Sequence, residues 1–376
     1  MDLKTLAFHA RQGWSSPFPD LDSPRTLVLA FGASGFLDDP APLAALSAAF
    51  PQACVMGCST SGEIFGTKVD DGSIAVAIAR LAHTPLRRAS ATVASAADSH
   101  HAGTALAEAL DGPDLQGILV LSDGLNVNGS DLARGFNERF QGRIPITGGL
   151  AGDGARFQRT WVLEAGRPQS GRVVAVGFYG AAVRLGHGSK GGWDSFGLER
   201  RVTRSQDNVL YELDGKPALE LYKSYLGDRA SGLPATALLF PLALRMAEGE
   251  QRQLVRTVLA VDEAAQSMTF AGDIPQGSLA QFMRANFDRL IGGAQEAAER
   301  IGAEAGGPAL SIAISCVGRR LVLGERTEEE VEATLQALPE GTQQIGFYSY
   351  GEISPFASGT CDLHNQTMTL TVLQEA

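Results

Sequence analysis

The sequence predicts an α/β protein: mixed β-sheets with flanking helices, built from duplicated strand–helix–strand units, in two parts that enclose a cleft. Three observations carry this. Short apolar runs alternate along the chain with segments of helical periodicity. An apolar run, a helix and a second run ending in a glycine-rich turn recur at residues 26–63, 117–153 and 310–352. From first strand to turn each copy takes roughly 30 to 40 residues, the length that a strand–helix–strand unit needs.

In the first copy Thr26-Leu27-Val28-Leu29-Ala30-Phe31 reads as a buried strand, ended by Gly32-Ala33-Ser34-Gly35. Leu43, Leu46, Ala49 and Phe50 follow at helical spacing, and Pro51 stops that helix because it has no amide to donate. Residues 53–56 form a second strand that runs into Gly57-Cys58-Ser59-Thr60-Ser61-Gly62-Glu63, and residues 73–79 alternate as a third. In the second copy residues 117–121 end in Ser122-Asp123-Gly124, and Ser130 or Asp131 caps a helix carrying Leu132, Phe136 and Phe140. Residues 145–147 then enter Gly148-Gly149-Leu150-Ala151-Gly152-Asp153, with strands near 160–163 and 173–179 beyond. The third copy has a strand at 310–316 and a helix that starts at Thr327-Glu328-Glu329-Glu330, which has the form of a capping box. A strand at 345–348 leads into Tyr350-Gly351-Glu352, and the last strand is 368–373.

A different region separates the second and third copies. Asp214-Gly215-Lys216-Pro217 starts a helix, strands are expected at 236–239, 255–261 and 268–270, and Ser278 caps a long helix bearing Leu279 through Ile301. Gly292-Gly293 would kink or split that helix. The apolar rhythm lapses at 200–214, which divides the chain into domains 1–204 and 205–376.

A net charge of -11, with basic residues scattered, argues against a nucleic-acid or anionic-membrane surface. No run is apolar for the roughly 18 residues that a bilayer span needs. The first residues lack the pattern of a signal peptide, and four cysteines in 376 residues give no disulfide framework. The expected place is the reduced cytoplasm. Cys54 and Cys58 have a spacing open to zinc, but no second pair stands near in sequence to complete four ligands, so no metal site is expected.

The turn at 57–63 gathers a thiol, three hydroxyls and a carboxylate. Glycines let a ligand approach the backbone, amides donate to an anion, and Glu63 could hold an ammonium group. The plainer reading is a turn whose hydroxyls satisfy its own backbone. Cys58 beside Ser59 invites an acyl-transfer or hydrolytic reading, but the stretch is not a G-x-S-x-G elbow, and a free cysteine is more often a small buried hydrophobe. The later turns keep glycines and an acidic residue and drop the thiol, which points to turn geometry plus Glu63, Asp153 and Glu352. His187 stands in a glycine-rich loop that could close on a ligand with Trp193 as a flat wall. His364 and Asn365 follow Cys361 too closely to form a protease-like triad.

Taken together, these motifs resemble those of the FIST family of bacterial sensory proteins, which have an N-terminal and a C-terminal part. The resemblance is carried by 57–63, 148–153, Asp214-Gly215-Lys216-Pro217-Ala218, Gly272-Asp273-Ile274-Pro275, Tyr350-Gly351-Glu352-Ile353 and Leu363-His364-Asn365-Gln366-Thr367. It implies a sensor of amino-acid-like metabolites acting in signal transduction. Its partner would be a separate histidine kinase, cyclic-dinucleotide enzyme or chemoreceptor-type output protein. Some relatives bind haem and sense nitric oxide, in which case His187 or His364 is the expected ligand; otherwise no cofactor is expected. The expected ligand-lining set is Cys58, Ser59, Thr60, Ser61, Glu63, Gly149, Gly152, Asp153, His187, Trp193, Tyr350, Glu352, His364 and Asn365, with no catalytic residue.

Overall fold

The structure is a computed structural model that describes residues 1–233, 235–246, 253–302, 307–356 and 358–376. The first repeat comprises β1 (Asp2–His9), β2 (Thr26–Ala33), α1 (Ala41–Ala49), β3 (Cys54–Thr60), β4 (Glu63–Phe65), β5 (Lys68–Asp70) and β6 (Ser73–Arg80). The second comprises β7 (Leu86–Thr92), α2 (Ser99–Leu110), β8 (Leu115–Ser122), α3 (Gly129–Phe140), β9 (Ile146–Leu150), β10 (Val162–Glu164), β11 (Arg167–Gln169) and β12 (Arg172–Tyr179). The third opens with β13 (Val183–Lys190). An insertion follows, made of β14 (Asp194–Gln206), β15 (Val209–Leu213), α4 (Ala218–Leu226), β16 (Leu242–Arg245), β17 (Leu254–Arg256), β18 (Val258–Asp262), β19 (Ser267–Phe270) and β20 (Leu279–Arg284). The repeat resumes with α5 (Phe287–Glu299), β21 (Ala309–Cys316), α6 (Val317–Leu323), α7 (Thr327–Gln336), β22 (Gln343–Ser349), β23 (Gly351–Pro355), β24 (Cys361–His364) and β25 (Met368–Glu375).

Each repeat builds the same sheet. The orders are β11-β10-β3-β2-β6-β1, β24-β23-β9-β8-β12-β7 and β5-β4-β22-β21-β25-β13, the first extended past β1 by Gly13–Trp14. In each, one central pair is parallel (β2 with β3, β8 with β9, β21 with β22) and the return strand is antiparallel. A parallel pair needs a crossover, and α1, α3 and the α6–α7 segment supply it. The repeats are interlocked: β4 leaves the first to pair with β22 of the third, β23 leaves the third to pair with β9 of the second, and β10 leaves the second to pair with β3 of the first.

The apolar runs are nearly continuous because both sheet faces are covered. In β2, Leu27, Leu29 and Phe31 enter a central core shared by the three sheets, while Val28 and Ala30 pack under α1. Leu119 and Leu121 of β8, and Leu310, Ile312 and Ile314 of β21, fill the same central core. The outer faces are closed by α2 and α3 in the second repeat and by α5 and α7 in the third. Gly57, Gly148 and Gly346 hold one position in the three repeats, each facing a carbonyl on the neighbouring parallel strand; an added Cβ would stand 2.0, 1.8 and 1.8 Å from it. Glycine is the residue that fits there.

Several local expectations change. Residues 279–284 are strand β20, paired with both β14 and β16, and the helix begins only at Phe287 with Asn286 as its cap. Two flanking strands override the helical spacing of Leu279, Phe282 and Met283. Gly292-Gly293 does not split the helix, which runs unbroken from Phe287 to Glu299. Ala235–Leu239 is a 3₁₀ turn rather than a strand. Asn128 caps α3, accepting from the amides of Ser130 and Asp131, so neither of the expected residues does so. Thr327 donates to the Gly324 carbonyl and forms no capping box. His187 lies in strand β13, opposite Thr371, and not in a loop.

Candidate functional site

The three glycine-rich turns meet. The Ser61 amide donates to Tyr348 O at 2.7 Å, the Gly152 amide to Ser59 O at 2.9 Å, and the Tyr350 amide to Leu150 O at 3.2 Å, each turn reaching into the next repeat's sheet. The approach is close: a Cβ on Gly152 would fall 2.3 Å from Ser61 Oγ.

Glu63 and Glu352 are equivalent residues, the first strand-paired to Phe347 and the second to Gly149. Thr60 and Ser73 give hydroxyl protons to Glu63, with the Ser73 amide adding a bond at 2.9 Å. Ser349 and Thr367 bond Glu352 in the same way, at 2.6 and 2.8 Å, with the Thr367 amide at 3.2 Å. Both carboxyls are buried, and burial pushes Glu63 up to about 7 and Glu352 up to about 8 against the hydroxyl and amide bonds that favour the charged form. The pair therefore braces each turn to its return strand.

Asp153 is not the third member of this set. Val162 occupies the equivalent place, paired to Cys58, because residues 153–161 insert a loop into the second repeat. Asp153 holds that loop, accepting from the amides of Phe157, Gln158 and Arg159 at 2.8 to 2.9 Å and from the Tyr350 hydroxyl. Burial would raise its pKa, but these donors outweigh burial and hold it below the usual carboxylate range.

Ser61, Gly152 and Tyr350 are also equivalent, each lying where the parallel strands of one sheet end. At the first sheet that space is occupied by the inserted loop: Arg156 donates to Ser34, Arg159 pairs with Asp38, and Trp161 donates to the Ala33 carbonyl. At the third sheet it is a cavity of about 440 Å³ whose walls include Ser61, Asp71, Arg320 and Leu321. Arg320 donates to Ser61 O at 2.6 Å and grips Asp71 with both arms. At the second sheet it is a cleft of about 470 Å³ beyond β8 and β9. Leu125, Asn128 and Phe157 line it from the repeats, Tyr350 from the third turn, and Asp207 and Leu259 from the insertion. Phe157 stacks on Tyr350 with ring centroids 4.4 Å apart. Strand ends of this kind are where open α/β sheets place ligands.

Of the expected lining residues, Tyr350 faces the cleft and Ser61 the second cavity, while Glu63, Gly152, Asp153 and Glu352 are buried and line neither. Ser59 accepts from the Trp161 amide and Thr60 serves Glu63, both inside the fold. Cys58 belongs to the central core, where burial drives its thiol well above the ordinary range and keeps it protonated. Gly149 lies in β9 opposite Glu352. Trp193 is buried at the junction with the insertion and donates to Gln366 O at 2.8 Å. Asn365 is buried, its amide on the His364 carbonyl.

Of the two histidines expected for haem, His364 has its ring engaged. His364 Nε2 lies 3.0 Å from Ser354 O and its ring packs on Phe356, so ligation would break both contacts. His187 shares a strand face with Val183 and Leu185, which pack on the central core, and burial lowers its pKa. Neither residue lines one of the two strand-end cavities. Among the described residues no group of three or more His, Cys, Asp or Glu is placed to hold a metal, and no helix is long and apolar enough to cross a membrane.

Apart from Tyr350, the sequence reading missed the residues that line the cleft. Leu125, Phe157 and Leu259 are lone apolar residues, and the available signal was their exposure, which pattern alone does not give. It also missed Arg319 and Glu330, a fully buried pair at 2.6 Å that takes in Ser315, Tyr348 and the Leu290 carbonyl behind the turns.

A family model described as the FIST N domain matches residues 26–216, and one described as the FIST C domain matches residues 218–355. An uncharacterized protein of Methanocaldococcus jannaschii is 33% identical over 89 residues, so the chain spans only 16% of that relative's length, with 23% of its own. A crystal structure of cyanuric acid hydrolase from A. caulinodans aligns over 99% of this chain and 98% of its own at 10% identity, with a TM-score of 0.36, too low to transfer fold detail or activity.

Proposed function

Because the chain belongs to the FIST family, with its N and C domains both matched, we propose that it senses a small polar, amino-acid-like metabolite and signals through a separate partner protein. FIST domains are sensory domains of signal transduction. The observation that carries the reading is the cleft at the strand ends of the second sheet, a concave site of about 470 Å³ with apolar walls and a few polar groups. Its walls come from the second repeat, the third repeat's turn and the insertion, so a ligand that touches all three favours one relative arrangement of them. That preference is the whole signal, since a ligand shifts an equilibrium only by its difference in affinity for the two states. The reading needs neither turnover nor a cofactor: the thiol at Cys58 is packed away, and the turn carboxyls are engaged in bracing.

Thermal unfolding against a metabolite library tests it. A ligand at about 100 times its dissociation constant stabilises the folded protein by about 2.7 kcal/mol, readable as a raised melting temperature. A library of amino acids, amines and small metabolites that leaves the melting temperature unmoved would remove the sensor reading. Consumption of a bound compound would replace it with an enzymatic one.

A further inference from the structure

We propose that the cleft selects an organic cation, a protonated amine carried on an apolar body, in preference to a zwitterionic amino acid; this rests on the reading of the cleft as the ligand site. Leu125, Phe157 and Leu259 remain 37%, 37% and 40% exposed, and all three face the cleft beside Tyr350. Large apolar side chains gathered in one concavity gain by being covered, which sets the apolar body of the ligand.

The head group follows from charge. Among the described residues that line the cleft, the charged ones are Asp131 and Asp207, and none is Lys, Arg or His. Asp207 stands on the turn between β14 and β15 with φ of 51°, and its carbonyl accepts from the Ile274 amide at 2.9 Å, which fixes the turn. Asp131 shares its charge with Arg134, which also pairs with Asp273. The stacked rings of Phe157 and Tyr350 add π surface that attracts a cation.

One feature favours an anion, the N-terminus of α3 at the cleft wall. Its amides at Ser130 and Asp131 are already taken by Asn128, and Asp131 sits in its first turn with a negative charge of its own. A carboxylate on the ligand would thus meet Asp207, and no Lys, Arg or His among the described residues that line the cleft. The amino group is the part recognised.

Three probes separate the groups: phenylalanine, 2-phenylethylamine, which lacks its carboxylate, and 3-phenylpropionate, which lacks its amine. Titration calorimetry at low salt on the full chain should rank the amine tightest and give no heat for the acid. Asp207→Asn should weaken the amine about fivefold, the scale of one partly exposed ion pair, while Leu125→Arg should abolish its binding. If phenylalanine or the acid binds as tightly as the amine, or if Asp207→Asn leaves the amine unchanged, the cation preference is overturned while the cleft keeps its role. Heat from none of the three overturns the preference as well, and the library screen then judges the cleft separately. If amine binding survives Leu125→Arg, the cleft is not the site, and the cation preference falls together with the reading of the cleft as the ligand site.

Discussion

Replacing Glu352 by glutamine should make the protein more stable at alkaline pH and nearly unchanged at acid pH. The native carboxyl is raised from 4.5 to about 8, with burial as the first cause. A raised carboxyl gives stability that is fully present below the unfolded pKa and is lost as pH rises through the folded one. Between pH 4.5 and 8 the native state therefore holds a proton that the unfolded chain has released. At about 1.4 kcal/mol per unit, the loss reaches a ceiling on the order of 5 kcal/mol by pH 9. Glutamine keeps the geometry of the protonated acid: its carbonyl can accept from the Thr367 amide and hydroxyl, and its NH₂ can donate to Ser349. Urea unfolding from pH 5 to pH 9 should show wild type falling steadily and Glu352→Gln flatter by several kcal/mol, with similar m values. Glu63→Gln should act the same way with a ceiling of about 3 kcal/mol, since Glu63 is raised only to about 7. Parallel profiles for wild type and Glu352→Gln would refute the neutral-brace account of the turns.

Four further changes follow from the same geometry. Gly346→Ala places a Cβ 1.8 Å from the Ala313 carbonyl and should cost more than about 3 kcal/mol or prevent folding, whereas Gly292→Ala, in α5 with open space around it, should raise stability by about 1 kcal/mol; paired melting curves decide. Arg319→Met strands Glu330 in the core and should cost about 3 to 5 kcal/mol in urea unfolding. Tyr350→Phe removes the hydroxyl that meets Asp153 and Gly154 O, so about 1 to 3 kcal/mol should be lost and hydrogen exchange should quicken at the amides of Phe157, Gln158 and Arg159.

The threefold recurrence was legible because each repeat needs the same apolar strand, crossover and glycine turn; that Gly57, Gly148 and Gly346 share one position emerged only from the strand pairing. The role of the acidic residues was not. Glu63 and Glu352 look like ligand groups in a string of letters, and only the pairing with Phe347 and Gly149 shows them to be equivalent braces. Asp153 looks like the third of the set, but the inserted loop offsets the spacing, so that Val162 takes the place. The separate region between the second and third copies was legible, but its end was not: β20 satisfies a helical pattern until its partners β14 and β16 are known. The cleft was least legible, since Leu125, Phe157 and Leu259 come from three separate parts of the chain and meet only in the folded form.

The claim that the cleft beyond β8 and β9 is the ligand site is tested most directly by titrating one compound from the library screen into wild type and two blocked variants. Leu125→Arg puts a long cation into the cleft, and Leu321→Arg does the same to the cavity beside Ser61; both leucines are part-exposed, so both variants should fold. The expected result is binding lost in Leu125→Arg and kept in Leu321→Arg. Binding kept in Leu125→Arg and lost in Leu321→Arg would contradict the account and move the site to the third sheet.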